Sequence, residues 1–173
     1  MTFQNRNIVY IVAGLMTITA SLYIVANALP IWSKVSVQSQ TGTYGLWKVC
    51  GAHCTNLPST VADAKIMSAR TFITISCILS IFFIASLLSI LFIDENLKKK
   101  IASLSKILVI ASLISGIIGV ALGITYAMEM KYILIIDNNS LLKQSPSMGV
   151  SSILAIIAIV FNLGSAMATF FIK

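Results

Sequence analysis

The sequence predicts an all-α transmembrane four-helix bundle that carries a small extracellular antiparallel β-sheet from its first loop. Of the 173 residues, 58% are hydrophobic and only 10% are charged, whereas soluble domains carry about 25% charged residues. The mean hydropathy is +0.97. A chain of this composition cannot cover a water-facing surface, so a lipid bilayer is its expected surrounding.

Four uncharged runs supply the predicted helices. Each run is close to the roughly 20 residues that cross about 30 Å of hydrocarbon as a helix. Transmembrane strands need only about ten residues of alternating polarity, and these runs are longer and do not alternate. Helices satisfy their backbone polar groups internally, as hydrocarbon requires. The predicted spans are residues 8–29, 71–93, 107–128 and 149–172.

The first run has an alternative interpretation as a secretory signal peptide. Arg6 precedes it, and Ala26-Asn27-Ala28 is similar to a small-residue cleavage site. Its apolar stretch, however, exceeds the roughly 7 to 15 residues of a signal core. We therefore expect the first run to be retained, and residues 1–173 to form one four-span domain.

Four spans place both termini on one side of the membrane together with the short loop 94–106. The loops 30–70 and 129–148 then share the other side. Four lysines lie in the short loop, three of them consecutive at Lys98–Lys100. Because the positive-inside rule favours such a cluster in the cytoplasm, we expect both termini to be cytosolic and the protein to lie in the plasma membrane. The net charge of +7 is therefore interpreted as topological, and no nucleic-acid partner is expected.

Cysteine usage supports the same orientation. Cys50 and Cys54 both lie in the first long loop. A pair so close in sequence on an extracytoplasmic loop is most simply a disulfide. Asn138 begins a glycosylation sequon in the other loop on that side.

Local patterns predict the structure of the first loop. Val35 and Val37 alternate with polar residues, residues 40–43 are suited to a turn, and residues 44–49 would form the second strand of a hairpin. The Thr60-x-x-Asp63 spacing of a capping box then predicts a helix that starts near Val61. If it continued to residue 93, this helix would measure roughly 50 Å.

Small residues on the third span predict close helix packing. They are spaced four, three and four apart, so they share one helix face, and small residues let helix backbones approach in lipid. Packing within the bundle is the expected role, and a lateral oligomer face is the alternative. The residues are Ser112, Gly116, Gly119 and Gly123, with Ser76, Ser80, Ser86 and Ser89 in a similar role on the second span.

The first loop then contains, in order, Trp32, Gly45-Leu46-Trp47, Cys50 and Cys54, and it ends at Arg70. This order resembles the W, GLW, C, C, R signature of the claudin superfamily, which includes claudins, peripheral myelin protein, epithelial membrane proteins, lens fibre membrane protein and channel gamma subunits. Three residues between the cysteines are nearer the lens fibre pattern. The second loop lacks the aromatic-x-Pro segment of many claudins, and no tail-borne scaffold-binding motif is expected after Lys173.

The resemblance implies roles for the signature residues. Gly45, Leu46 and Trp47 would seat the extracellular sheet on the helices, the two cysteines would bridge two strands, and Arg70 would tie the second helix to the sheet. An Arg at this position can donate several hydrogen bonds to loop carbonyls. For Trp32 an ordinary interfacial anchor is an equally supported interpretation.

No catalytic constellation is found, so no enzyme activity, small-molecule substrate or cofactor is expected. The four predicted spans contain no Asp, Glu, Lys or Arg, which proton relays and transport sites ordinarily need. Cys50, His53 and Cys54 could suggest a metal site, but they lack a fourth ligand and a disulfide would use two of them. Cys77 is interpreted as a small buried apolar residue.

The function expected from these observations is a cell–cell junction protein of claudin type, for adhesion or as a paracellular barrier or pore. Its partners would be further copies or related four-span proteins, both side by side and across the cell contact. The alternative is an auxiliary or organising subunit of a channel or another membrane protein. Lys34, Lys48 and Lys65 would favour anions if the first loop lined a pore. If instead these lysines point into bulk water and Arg70 binds the sheet, salt screening removes most of that bias.

Overall fold

The structure, a computed structural model, describes residues 3–37, 40–51, 53–57, 63–93, 95–129 and 146–171. Its four helices are α1 (Phe3–Ala28), α2 (Ala64–Ser89), α3 (Glu95–Glu129) and α4 (Val150–Thr169). All four are long and apolar enough to cross a membrane, which confirms the predicted multi-pass architecture. The described strands are β1 (Ser33–Val37), β2 (Gln40–Tyr44), β3 (Lys48–Cys50), β4 (Cys54–Asn56) and β5 (Ser147–Met148).

The strands form one antiparallel sheet in the order β4-β3-β2-β1-β5. A small sheet from the first loop was expected, and four of the described strands come from that loop, but β5 precedes α4 and pairs Ser33 with Met148. The sheet is therefore built from both predicted loops and not from the first alone. It lies at the end of the bundle where α1 and α3 finish and α2 and α4 begin, which we call the sheet end.

The hairpin prediction was right in kind and wrong in register. Residues 40–43, assigned to a turn, belong to β2, which pairs Val37 with Gln40 and Ser33 with Tyr44. The expected strand 44–49 is interrupted, because Gly45 to Trp47 leave the sheet and β3 starts only at Lys48. Thr41 and Thr43 are β-branched and favour a strand, whereas Gly42 between them is the residue that suggested a turn.

Helix boundaries also differ from the expectation. Asp63 is the N-cap of α2, its Oδ1 accepting from the Ala64 N–H at 2.7 Å, so it is not the third residue of a helix begun near Val61. The 26 residues of α2 span about 39 Å instead of roughly 50 Å. Most of the predicted loop 94–106 is helical, because α3 begins at Glu95 and continues for 35 residues. Thr60 and Val61 lie outside the described residues.

A polar layer divides the buried interior midway along the bundle. The Ser76 hydroxyl donates to the Ser112 carbonyl at 2.9 Å, Ser80 and Ser112 share a hydroxyl–hydroxyl bond of 2.9 Å, and Asn162 Nδ2 donates to Ser112 Oγ at 3.2 Å. These bonds join α2, α3 and α4. Apolar clusters lie on either side, one around Trp32 and Tyr23 at the sheet end and one around Phe83 at the other.

The small-residue face of α3 lies against the other helices. A Cβ on Gly116 would collide with the Tyr23 side chain of α1, and one on Gly119 would lie 2.7 Å from Ile73 Cγ1 and 3.0 Å from the Ile73 backbone nitrogen of α2. A Cβ on Gly123 would enter the Trp32 ring. On α2, Ser86 bonds Ser105 of α3, whereas Ser89 is half-buried and its hydroxyl donates to the Ala85 carbonyl of its own helix.

Gly119→Ala should destabilise the bundle by about 1–3 kcal/mol, because the added methyl overpacks against backbone that cannot rotate away. Gly164→Ala is the matched control, since a Cβ there has nothing within 4 Å and alanine is the better helix former. Thermal unfolding of the purified protein in detergent should show a lowered midpoint for Gly119→Ala only. Equal midpoints for both variants would contradict this packing.

Candidate functional site

Trp32 lies where the sheet meets three helices. Only 1% of its surface is exposed, so it is a core residue and not the interfacial anchor that was the alternative expectation. Its Nε1 donates to the Ala26 carbonyl at 2.8 Å, and its ring covers Gly123 of α3. Its backbone N–H donates to the Tyr44 carbonyl at 2.7 Å.

The Trp32 carbonyl oxygen holds the start of α4. It accepts the Gly149 N–H at 2.9 Å and the Ser152 hydroxyl at 2.7 Å. Gly149 has to be glycine, because a Cβ there would collide with the backbone of Ile31 and Trp32. One residue of the first loop thus binds α1, β2, α3 and α4 at the same time.

Gly45 and Leu46 form the second part of the junction. A Cβ on Gly45 would meet the backbone of Pro30, so only glycine allows the chain after β2 to pass this close to the end of α1. Leu46 is fully buried in the apolar cluster at the sheet end. Tyr44, at the end of β2, is buried as well, and burial raises the pKa of its phenol above the ordinary value.

Arg70 and Trp47 connect α2 to the sheet. The Arg70 Nε donates to the Leu46 carbonyl at 2.6 Å, and the guanidinium carbon lies 4.6 Å from the centre of the Trp47 ring. Trp47 Nε1 donates to Asn27 Oδ1 of α1 at 2.8 Å. The expectation of several Arg70 bonds to loop carbonyls is only partly met, because its buried Nη2 has no partner among the described residues.

The predicted disulfide between Cys50 and Cys54 is confirmed. The two residues lie directly opposite each other in the register of β3 and β4, with their Cα atoms 4.0 Å apart. Because both thiols are used in this bond, the alternative metal site retains only His53 of its three ligands. Cys77 is a free, buried cysteine inside α2.

The three lysines considered for charge selectivity do not share one environment. Lys34 and Lys48 are exposed on β1 and β3. Lys65 lies at the start of α2, where its Nζ is 2.8 Å from Glu129 Oε1 at the end of α3. The positive charge of the first loop is therefore partly balanced by a carboxylate from another part of the chain, and Arg70 keeps its charge but is held inside the junction. Asn138 lies outside the described residues.

Three residues of the junction were not anticipated from the sequence. Asn27 had been considered only within a cleavage site, and Ser152 and Gly149 only as part of an apolar run. The signal for Asn27 was an amide, which can both donate and accept hydrogen bonds, at the end of an apolar helix. For Gly149 and Ser152 no local signal existed, since their roles depend on contacts with residues more than a hundred positions away.

No family model matches this chain, and no curated protein matches it.

Arg70→Lys should weaken the junction, although it keeps the charge. Lysine lacks the planar guanidinium that both donates to Leu46 and stacks on Trp47, so we expect a loss of about 1–3 kcal/mol in unfolding free energy. The matched control is Arg6→Lys, since Arg6 is exposed near the start of α1. Thermal unfolding in detergent, followed by Trp fluorescence, measures both variants, and equal midpoints for the two would show that the guanidinium contacts contribute nothing.

Proposed function

We propose that this chain is an integral membrane cell–cell junction protein of claudin type, acting in adhesion or as a paracellular barrier or pore through its β-sheet. One observation carries the proposal. The residues that resemble the claudin superfamily signature, Trp32, Gly45-Leu46-Trp47 and Arg70, meet at one junction that fastens a disulfide-bonded sheet onto four apolar helices. The disulfide of that sheet is the pair the resemblance implies.

The orientation proposed with this function places the sheet outside the cell and both termini in the cytosol. The disulfide supports it, because such bonds persist on the oxidising side of a membrane. The lysine cluster Lys98–Lys100 supports it as well, because it lies in the first turns of α3, at the end of the bundle away from the sheet. Asn138 would then be open to glycosylation.

The proposed partners are copies of this chain or related four-span proteins. The sheet would contact a partner on the neighbouring cell, and the exposed apolar helix faces would allow association within one membrane. No catalytic step is part of the proposal. The alternative, an auxiliary subunit of a channel or another membrane protein, would use the same helices and the same sheet to hold that protein.

Localisation in cells tests the proposed function. A chain tagged at its N-terminus, expressed in cells that form no junctions of their own, should concentrate where two expressing cells touch and not where an expressing cell touches a non-expressing one. The tag should react with antibody only after the cells are made permeable. Uniform surface staining together with co-purification of a channel would favour the auxiliary-subunit alternative, and a tag reached in intact cells would contradict the orientation.

Charge reversal tests the pore form of the proposal. The exposed Lys34 and Lys48 would line the path, so replacing both with Glu should shift the dilution potential of an expressing epithelial layer toward cations. The control is Lys99→Glu, because Lys99 is also exposed but lies at the opposite end of the bundle, far beyond the screening length of about 8 Å. An unchanged dilution potential in the double variant would exclude these lysines from the ion path.

A further inference from the structure

We infer that the groove between α1 and α2 beneath the sheet binds one phospholipid, with its phosphate at Lys48 and one acyl chain between Ile24 and Ile78. The groove has a volume of about 500 Å³, within the roughly 300–1,000 Å³ of typical ligand pockets. The inference goes beyond the junction proposal and does not depend on it. It requires only that the four apolar helices cross a bilayer.

The lining of the groove changes from polar to apolar along its length. Asn27, Trp47 and Lys48 line the part next to the sheet, and Ile24, Cys77 and Ile78 line the part farther into the bundle. Trp47 is 45% exposed and its indole N–H is already bonded to Asn27. An indole with an apolar face and a satisfied polar edge is typical of the headgroup level of a membrane. The groove therefore follows the polarity gradient of a lipid molecule.

The charges of the groove favour a phosphate. The described lining residues include one basic side chain, Lys48, and no carboxylate. Both polar atoms of the Asn27 amide already have partners. Its oxygen accepts from Trp47, and its nitrogen lies 3.4 Å from the Thr74 hydroxyl oxygen. An ammonium with no counter-charge next to it binds an anionic oxygen with a charge-assisted hydrogen bond.

The shape of the groove favours a hydrocarbon chain over a helix of another copy. Its helical walls run from Ile24 to Ala28 on α1 and from Thr74 to Ile78 on α2. Each wall covers five residues, which is about 6 Å or little more than one helical turn, so it offers only a short seat to a helix of another copy packed along α1 and α2. Ile24 and Ile78 are 51% and 48% exposed, so in a bilayer the groove opens sideways toward lipid.

Lipid titration by native mass spectrometry tests the inference. The full chain, purified in detergent, is titrated with phosphatidylglycerol, and the wild type should retain one tightly bound molecule. Lys48→Ala should weaken binding about tenfold, the cost of one charge-assisted hydrogen bond. Lys34→Ala is the matched control, because it removes an exposed lysine of the same sheet that does not line the groove, and it should bind as the wild type does.

A second variant tests the contribution of the apolar part of the groove independently of Lys48. Ile78→Trp should fill the apolar part and reduce the bound fraction while Lys48 is retained, and an unchanged thermal midpoint confirms that this variant folds. Inorganic phosphate in excess should not displace the lipid. Equal affinity of Lys48→Ala and Lys34→Ala would overturn the inference. So would displacement by inorganic phosphate, or an Ile24→Cys variant that cross-links to Ile24→Cys of another copy in membranes.

Discussion

The attachment of the sheet to the helices depends on the burial of Trp32. Its indole replaces the side chain that Gly123 lacks, its Nε1 satisfies a carbonyl at the end of α1, and its own carbonyl holds Gly149 and Ser152 at the start of α4. A sheet this small cannot bury a core of its own. It is ordered because a large aromatic side chain beside its first strand belongs to the core of the bundle.

The bundle itself has to be held together without the hydrophobic effect that drives soluble proteins, because lipid tails are as apolar as the helix surfaces. Two features replace it. Gly116 and Gly119 allow α3 to approach Tyr23 and Ile73 closely, and close approach maximises dispersion contacts. The hydroxyl and amide bonds around Ser112 join three helices at mid-depth. Such bonds add about 0.6 kcal/mol each on average, and they also specify which helix faces meet.

The sheet end exposes less positive charge than the number of Lys and Arg residues in the first loop suggests. Arg70 is held beneath the sheet by Leu46 and Trp47, and Lys65 is paired with Glu129. The exposed positive charge of the described sheet is thus reduced to Lys34 and Lys48, on different strands. Both lysines belong to the proposed ion path, and Lys48, unlike Lys34, also borders the groove between α1 and α2.

Much of the architecture follows from the sequence alone. Four apolar runs of about 20 residues predict helices in hydrocarbon, because membrane-spanning strands are about half as long and alternate in polarity, whereas a helix bonds all its backbone polar groups within its own segment. The closeness of Cys50 and Cys54 likewise determined their pairing, which is confirmed. These features depend on residues near one another in the chain, so local pattern was sufficient to predict them.

The tertiary structure decided what depends on distant residues. The fifth strand forms because Ser147 and Met148 pair with the edge of β1. Two residues are too few to show a strand pattern in the sequence. The strand expected over residues 44–49 is interrupted after Tyr44, where Gly45 passes the backbone of Pro30, a close approach that alternation does not encode. The hydrogen-bond partners of Arg70, Lys65 and Asn27 also depend on the tertiary structure. The chemistry of a polar side chain restricts the type of its partner, but only the packed chain brings a particular partner within reach.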